Sequence, residues 1–180
     1  MEIEETYIKG LKIIRLTRFS DKRGSFLKVF NFEFFRDNYL STDFKENYFS
    51  ISVKNVIRGM HFQIPPYEHV KLVYLSQGRI FDVVLDLRKD STTFGQYYSI
   101  IISSDNPVMI YIPVGCAHGF LSLEDSSIVS YLQTSSYNKE SDAGIRWDSF
   151  GMNWNVKNPI VSERDKSFQR FDDFQSPFTK

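Results

Sequence analysis

The stretch Val70-Lys71-Leu72-Val73-Tyr74-Leu75-Ser76-Gln77-Gly78-Arg79-Ile80-Phe81-Asp82-Val83-Val84-Leu85-Asp86-Leu87 decides how the chain folds. Two apolar runs, Val70 to Leu75 and Arg79 to Leu87, are too short for ordinary helices and rich in β-branched and aromatic residues, and Gln77-Gly78 punctuates them. Each reads as a strand. The same pattern continues outward. Tyr48 to Val53 and Val56 to Phe62 lie upstream; Gln96 to Ile102, Val108 to Ile112, Gly119 to Leu123 and Ile128 to Gln133 lie downstream. Pro65-Pro66, Asp90-Ser91, Asp105-Asn106-Pro107 and Glu124-Asp125 supply the remaining turn signals. Nearer the N-terminus, Leu11 to Ile14 and Ser25 to Val29 flank the turn Ser20-Asp21-Lys22-Arg23-Gly24. Many short strands with regular turn signals make a sandwich or barrel, and the count fits a double-sheet jelly roll. The fold expected is therefore all-β, a double-stranded β-helix with a few short helices. Asn31 is placed to cap a helix running to about Tyr39, because Phe32, Phe35 and Tyr39 recur at helical spacing. After Ser149 periodic apolar positions are few, which predicts loops and one short helix.

A chain of 180 residues is most simply a single domain over 1–180. Hydrophobic residues make up 42% and aromatics 16%, so a packed β-rich core is expected rather than disorder or a coiled coil. Lys plus Arg number 22 and Asp plus Glu number 22, which leaves no net positive field to attract a nucleic acid or an anionic membrane. Any anion site must be local. The single Cys116 excludes an intramolecular disulfide and a cysteine-based zinc cluster. The acidic start MEIEETYIKG is unlike a secretory signal, and no apolar run approaches the roughly 20 residues of a membrane span. A cytoplasmic location is expected.

Polar residues interrupt the apolar pattern most densely at Val56-Ile57-Arg58-Gly59-Met60-His61-Phe62-Gln63. In a regular strand Arg58, Met60 and Phe62 share one face and Gly59, His61 and Gln63 the other, so Arg58 and His61 are expected on opposite sides. A second interruption, Pro113-Val114-Gly115-Cys116-Ala117-His118-Gly119, brings a turn and a histidine to the start of a strand. Lys71 opens one apolar strand and Tyr131 interrupts another. Taken singly, strand histidines are mostly hydrogen-bonded structural residues, a strand-end Lys is mostly a solvated edge charge, and a strand Tyr is mostly core.

In combination these pieces carry more. The ordered set Arg58-Gly59-Met60-His61-Phe62-Gln63, Lys71-Leu72-Val73, Phe94-Gly95-Gln96, Tyr111-Ile112-Pro113, Ala117-His118-Gly119-Phe120, Gly144-Ile145-Arg146-Trp147-Asp148 and Ser162-Glu163-Arg164-Asp165 resembles the dTDP-4-dehydrorhamnose 3,5-epimerase family, with spacing held from about Asp21 to Asp165. The resemblance implies a cupin-like barrel, usually a homodimer, that binds a nucleoside-diphosphate-linked 4-keto-6-deoxy sugar in the barrel mouth and inverts C3 and/or C5 without a cofactor. It makes His61 the general base, Asp165 the carboxylate that orients it, Tyr131 the acid on the opposite face and Lys71 the cation beside the 4-keto oxygen. Arg23 and Arg58 match diphosphate contacts and Tyr137 matches an aromatic near the nucleotide. Phe26, Lys28, Glu46, Tyr48 and His118, a second active-site histidine, complete the expected substrate-binding set.

These residue types suit the chemistry. Loss of a proton beside a ketone places negative charge on the ketone oxygen, which a nearby ammonium stabilises. A histidine can take the proton, and a phenol with an unperturbed pKa of about 10 can return one from the other face. Metal-binding cupins usually present two histidines one residue apart; His61-Phe62-Gln63 lacks the second, so no metal is expected. The same substitution argues against the 3,4-ketoisomerases of this barrel class, and the retained proton-transfer set argues against an inactive sugar-nucleotide-binding cupin. A C3-only or C5-only epimerase remains an alternative.

Several positions depart from the family. Lys28 stands where a Glu often meets the thymine ring from the partner subunit, and an ammonium, which only donates, suits an acceptor such as cytosine N3. The nucleotide is thus left open between thymidine and cytidine. Glu46 and Tyr48 replace Gln and Asn near the phosphates, Tyr74 replaces an Arg, and Val114 and Cys116 replace Glu and Phe; these changes are expected to alter diphosphate or sugar contacts.

Overall fold

The computed structural model describes residues 1–179. In chain order the elements are β1 (Glu2–Glu5), β2 (Lys12–Arg15), β3 (Arg18–Asp21), β4 (Gly24–Leu27), α1 (Phe32–Asp37), β5 (Glu46–Ser52), β6 (Val56–Gln63), β7 (Lys71–Gln77) and β8 (Arg79–Asp86). Then follow β9 (Tyr97–Ser103), β10 (Val108–Ile112), β11 (Cys116–Ser122), β12 (Ser127–Gln133), β13 (Asp142–Gly144), β14 (Ile160–Val161), α2 (Glu163–Ser167) and a short 3₁₀ turn (Phe171–Asp173). One sheet runs β1-β2-β10-β7-β12-β5; the other runs β13-β6-β11-β8-β9, with β14 added to β6. β3 and β4 form a separate two-stranded hairpin. The architecture is the double-sheet jelly roll that the turn pattern implied, and the cupin-like barrel that the resemblance implied.

Burial explains why few strands alternate cleanly between apolar and polar residues. The space between the sheets is filled from both by Ile13, Val73, Val84, Ile110, Phe120 and Val129. The outer face of the first sheet is covered by the α1 segment, where Ile14, Leu72 and Met109 pack with Phe35 and Leu40. The outer face of the second is covered by the C-terminal tail, where Ile57, Met60 and Leu85 pack with Trp154, Phe174 and Phe178. A strand such as Val108-Met109-Ile110-Tyr111-Ile112 is therefore buried on both faces, and its sequence reads as one apolar run. The tail expected to be loops and one short helix contains α2 and the 3₁₀ turn, but its aromatic residues form one wall of a core.

Asn31 caps α1 as expected, its side chain accepting from the Phe34 amide at 2.8 Å. The helix stops at Asp37, short of Tyr39, whose φ of 57° lies in the left-handed region. β1 has no counterpart in the sequence reading: its mixed acidic residues have no apolar period, and pairing with β2 alone makes it a strand.

The faces of β6 correct the expectation for Arg58 and His61. β6 pairs His61 with His118 and Arg58 with Phe120, so three steps along β6 match two along β11. This β-bulge shifts the parity of the strand. Ile57, Met60 and Phe62 join the outer core, while Arg58, His61 and Gln63 all reach the cavity between the sheets. Glycine makes the bulge possible: Gly59 has φ +143°, and a Cβ there would sit 2.5 Å from the Gly119 Cα.

Candidate active site

The two sheets open at one end into a cavity of about 510 Å³. His61, Lys71 and Tyr131 line it together, as do Arg58, Tyr48, His118 and Tyr137. Its walls come from different sheets. His61 and His118 are cross-strand neighbours on β6 and β11 of the second sheet. Opposite them, the first sheet presents two cross-strand rows: Val73, Tyr131 and Tyr48 on β7, β12 and β5, then Lys71, Gln133 and Glu46 beside them.

Each imidazole on the second sheet is held by a carboxylate. His61 Nε2 lies 2.8 Å from Asp165 Oδ1, and Asp165 Oδ2 accepts from the Gly59 amide at 3.1 Å. Asp165 sits in the first turn of α2, and its own amide donates to the capping Ser162 at 3.1 Å. Ser162-Glu163-Arg164-Asp165 thus behaves as a local cap that aims a carboxylate at β6. Burial works to raise the Asp165 pKa, but the His61 bond and charge, the Gly59 amide and Arg164 outweigh it and hold it below the usual carboxylate value. An ionised carboxylate only accepts, so His61 Nε2 carries the proton and Nδ1 holds the lone pair. Burial also depresses the His61 pKa, against the opposing pull of Asp165. His118 Nε2 makes the second such bond, 2.8 Å to Asp82 Oδ2.

On the first sheet the same desolvation acts on different groups. Burial lowers the Lys71 pKa from 10.5 to about 8, with the charges of Asp82 and Asp142 working the other way. Burial pushes the Tyr131 phenol well above its ordinary value of 10.0, only partly offset by its 3.3 Å bond with Ser50 Oγ. His69, whose placement the sequence left open, also lines the cavity near Gln63; burial, with Lys71 nearby, drives its pKa down to about 3. Among the described residues no group of three or more His, Cys, Asp or Glu is arranged to hold a metal ion.

Not every expected residue reaches this cavity. Glu46 lies at its edge, accepting from Gln133 Nε2 at 3.0 Å and from the Tyr137 amide at 2.9 Å. Arg23 and Phe26 are on the β3-β4 hairpin, outside both sheets. The Arg23 side chain is 85% exposed and paired with Asp21, and Phe26 is 59% exposed beside Phe19. Lys28, just past β4, is exposed as well. Within one chain these three do not join the site. Tyr74 points to the outer face of the first sheet, opposite to Lys71 and Val73, so its expected influence on sugar contacts is not exerted from within this chain. Asp82, Ser50, Gln133 and Asp142 were missed. Asp82 did carry a signal, as a lone carboxylate inside Ile80-Phe81-Asp82-Val83-Val84.

A jelly roll whose two sheets bring His61, Lys71 and Tyr131 to one cavity is the frame of a cupin-type epimerase, the class that the relatives define. The dTDP-4-dehydrorhamnose 3,5-epimerase family matches over residues 5–173. A dTDP-4-dehydrorhamnose 3,5-epimerase from Methanothermobacter thermautotrophicus is 40% identical over 170 residues, 92% of this chain and 91% of the relative. The crystal structure of the enzyme of that name from Sulfolobus tokodaii has a TM-score of 0.91 at 35% identity, covering 98% of this chain and 99% of its own. The dTDP-6-deoxy-D-glucose-3,5-epimerase of Legionella pneumophila, solved in complex with dTDP-4-keto-L-rhamnose, has a TM-score of 0.91 at 32% identity, covering 97% and 94%. The chain belongs to the dTDP-4-dehydrorhamnose 3,5-epimerase family.

Proposed function

We propose that the chain inverts C3 and C5 of a dTDP-linked 4-keto-6-deoxyhexose by proton abstraction on one face and reprotonation on the other, in the making of deoxysugars. The observation that carries this reading is the placement of His61 and Tyr131 on facing sheets around one cavity, with Lys71 on the same wall as Tyr131. His61 Nδ1 removes the proton from the carbon beside the ketone, and the electron pair moves to the ketone oxygen as an enolate. Asp165 stabilises the imidazolium so formed, and the Lys71 ammonium stabilises the enolate. The Tyr131 O–H then protonates the carbon from the opposite side and becomes a phenolate, and solvent restores both groups. Arg58, tied to Ser52 Oγ at 3.0 Å, is positioned at the cavity to meet a phosphate.

The substrate follows from the family name and from the sugar nucleotide held by the Legionella pneumophila relative. The hairpin supports a further part of the reading: a homodimer in which Arg23, Phe26 and Lys28 of one subunit close the cavity of the other. Phe19, Phe26 and Arg23 stand exposed on the hairpin away from the cavity, and Phe49 and Ile51 stand exposed on the edge strand β5. In deuterated water, with dTDP-4-keto-6-deoxy-D-glucose as substrate, the protein is expected to place one solvent deuterium on each inverted carbon. A CDP-linked substrate in parallel tests the influence of Lys28. Absence of exchange and inversion with both would overturn the reading, and a monomer by light scattering would overturn the shared site.

A further inference from the structure

Tyr48 lies directly across from Tyr131 in the β5-β12 register, and the two rings stack with centroids 4.8 Å apart and planes 18° from parallel. This contact does not depend on substrate, because both rings are fixed by their own neighbours. Glu46, an acceptor when ionised, takes Gln133 Nε2 at 3.0 Å and so leaves Gln133 Oε1 facing Tyr48. The Tyr48 hydroxyl donates to that oxygen at 3.2 Å. The second Glu46 oxygen accepts from the Tyr137 amide at 2.9 Å, which ties the row to the loop after β12. Tyr131 is thereby clamped between the Ser50 hydroxyl at its tip and the Tyr48 ring along its face. Tyr48 is also the more exposed of the two, at 42% against 7%, so it shields the buried phenol from solvent at the mouth.

The geometry points to Tyr48 as a positioning residue for the acid: its ring, locked by Gln133 and Glu46, holds Tyr131 where the enolate must collect its proton. This rests on the proposed function and adds a residue to it. Stacked aromatic pairs prefer a narrow range of offsets, so the Tyr131 ring loses the freedom to swing away from the sugar. A misplaced acid does not stop enolate formation. The enolate instead recovers a proton from the His61 imidazolium, on the face it left from. In deuterated water, once the imidazolium has exchanged its proton with solvent, that return places deuterium on the carbon with its configuration unchanged. The ratio of exchange with retention to inversion therefore reports where Tyr131 stands, and a loss of general stability does not move it.

The test compares wild type, Tyr48→Leu and Tyr48→Phe with dTDP-4-keto-6-deoxy-D-glucose in deuterated water, following deuterium and configuration by NMR. Tyr48→Leu, which removes the stacked ring, is expected to raise the ratio roughly tenfold, since small misplacements of reacting groups cost rate steeply. Tyr48→Phe keeps the ring and loses only the hydroxyl bond, so it is expected to restore most of the wild-type ratio. An unchanged ratio in Tyr48→Leu overturns the inference while leaving the epimerase reading intact. A wild type that neither exchanges nor inverts overturns the epimerase reading itself.

Discussion

The two walls of the cavity differ in how they hold their chemistry. On the second sheet each imidazole is pinned by a carboxylate 2.8 Å away, His61 by Asp165 and His118 by Asp82. On the first sheet Tyr131 is held by a hydroxyl and a stacked ring, and burial acts on Lys71 against the weaker pull of Asp82 and Asp142. Burial acts alike on both walls by disfavouring charge. For His61 that means the neutral form, able to accept a proton; for Tyr131 it also means the neutral form, able to give one. One cavity thus keeps both an imidazole and a phenol neutral, the forms that the proposed proton transfer needs. The lesson is that burial favours the neutral form of both His61 and Tyr131, and that Lys71 is the member that burial works against.

Breaking the base wall is expected to have the largest effect. His61→Asn removes the group that starts the reaction, so exchange and inversion should fall together by about 10³-fold, within the range for general bases. Steady-state rates with deuterium readout check this, and an exchange rate near wild type would detach His61 from the mechanism. Lys71→Met strikes the other wall at its costly member. Loss of enolate stabilisation is expected to reduce kcat by roughly 10²-fold, while removal of an ammonium whose pKa is depressed to about 8 stabilises the fold by on the order of 1–3 kcal/mol. A thermal melt should therefore rise by several degrees as activity falls.

A smaller effect sharpens the same contrast through pH. Lys71 has a folded pKa below its unfolded value of 10.5, so between about pH 8 and 10.5 the unfolded chain binds more protons and the contribution of Lys71 to stability rises with pH. Activity should move the other way, declining above about pH 8 as the ammonium is lost. The acid limb should lie below pH 6.5, because burial depresses His61 from that value. A kcat/KM profile and melts across the same range check both signs, and parallel decline of activity and stability above pH 8 would count against Lys71 as the source.

The succession of strands along the chain was legible because turn residues punctuate it: each strand expected from Tyr48 onward is found, with ends displaced by a few residues. Which side chains share a face of β6 was not legible. That depends on a bulge whose cause, the approach of Gly59 to Gly119 on the neighbouring strand β11, joins residues far apart in sequence and leaves no local mark. His61, His118, Lys71 and Tyr131 could be located as polar breaks in apolar runs, but their convergence came only with the fold. Asp165 is different again. Nothing periodic surrounds it, and only family resemblance singled it out, although Ser162 three residues earlier is a readable cap. Arg23, Phe26 and Lys28 were legible as a turn and a strand, yet within a single chain they do not reach the cavity.

The central claim is that the proton leaves toward one wall and returns from the other. Tyr131→Phe, incubated with dTDP-4-keto-6-deoxy-D-glucose in deuterated water, puts this to the test in a single NMR time course. The account predicts continued deuterium uptake at the carbon next to the ketone with its original configuration kept, and inversion reduced by about 10²-fold. Inversion at the wild-type rate would contradict it.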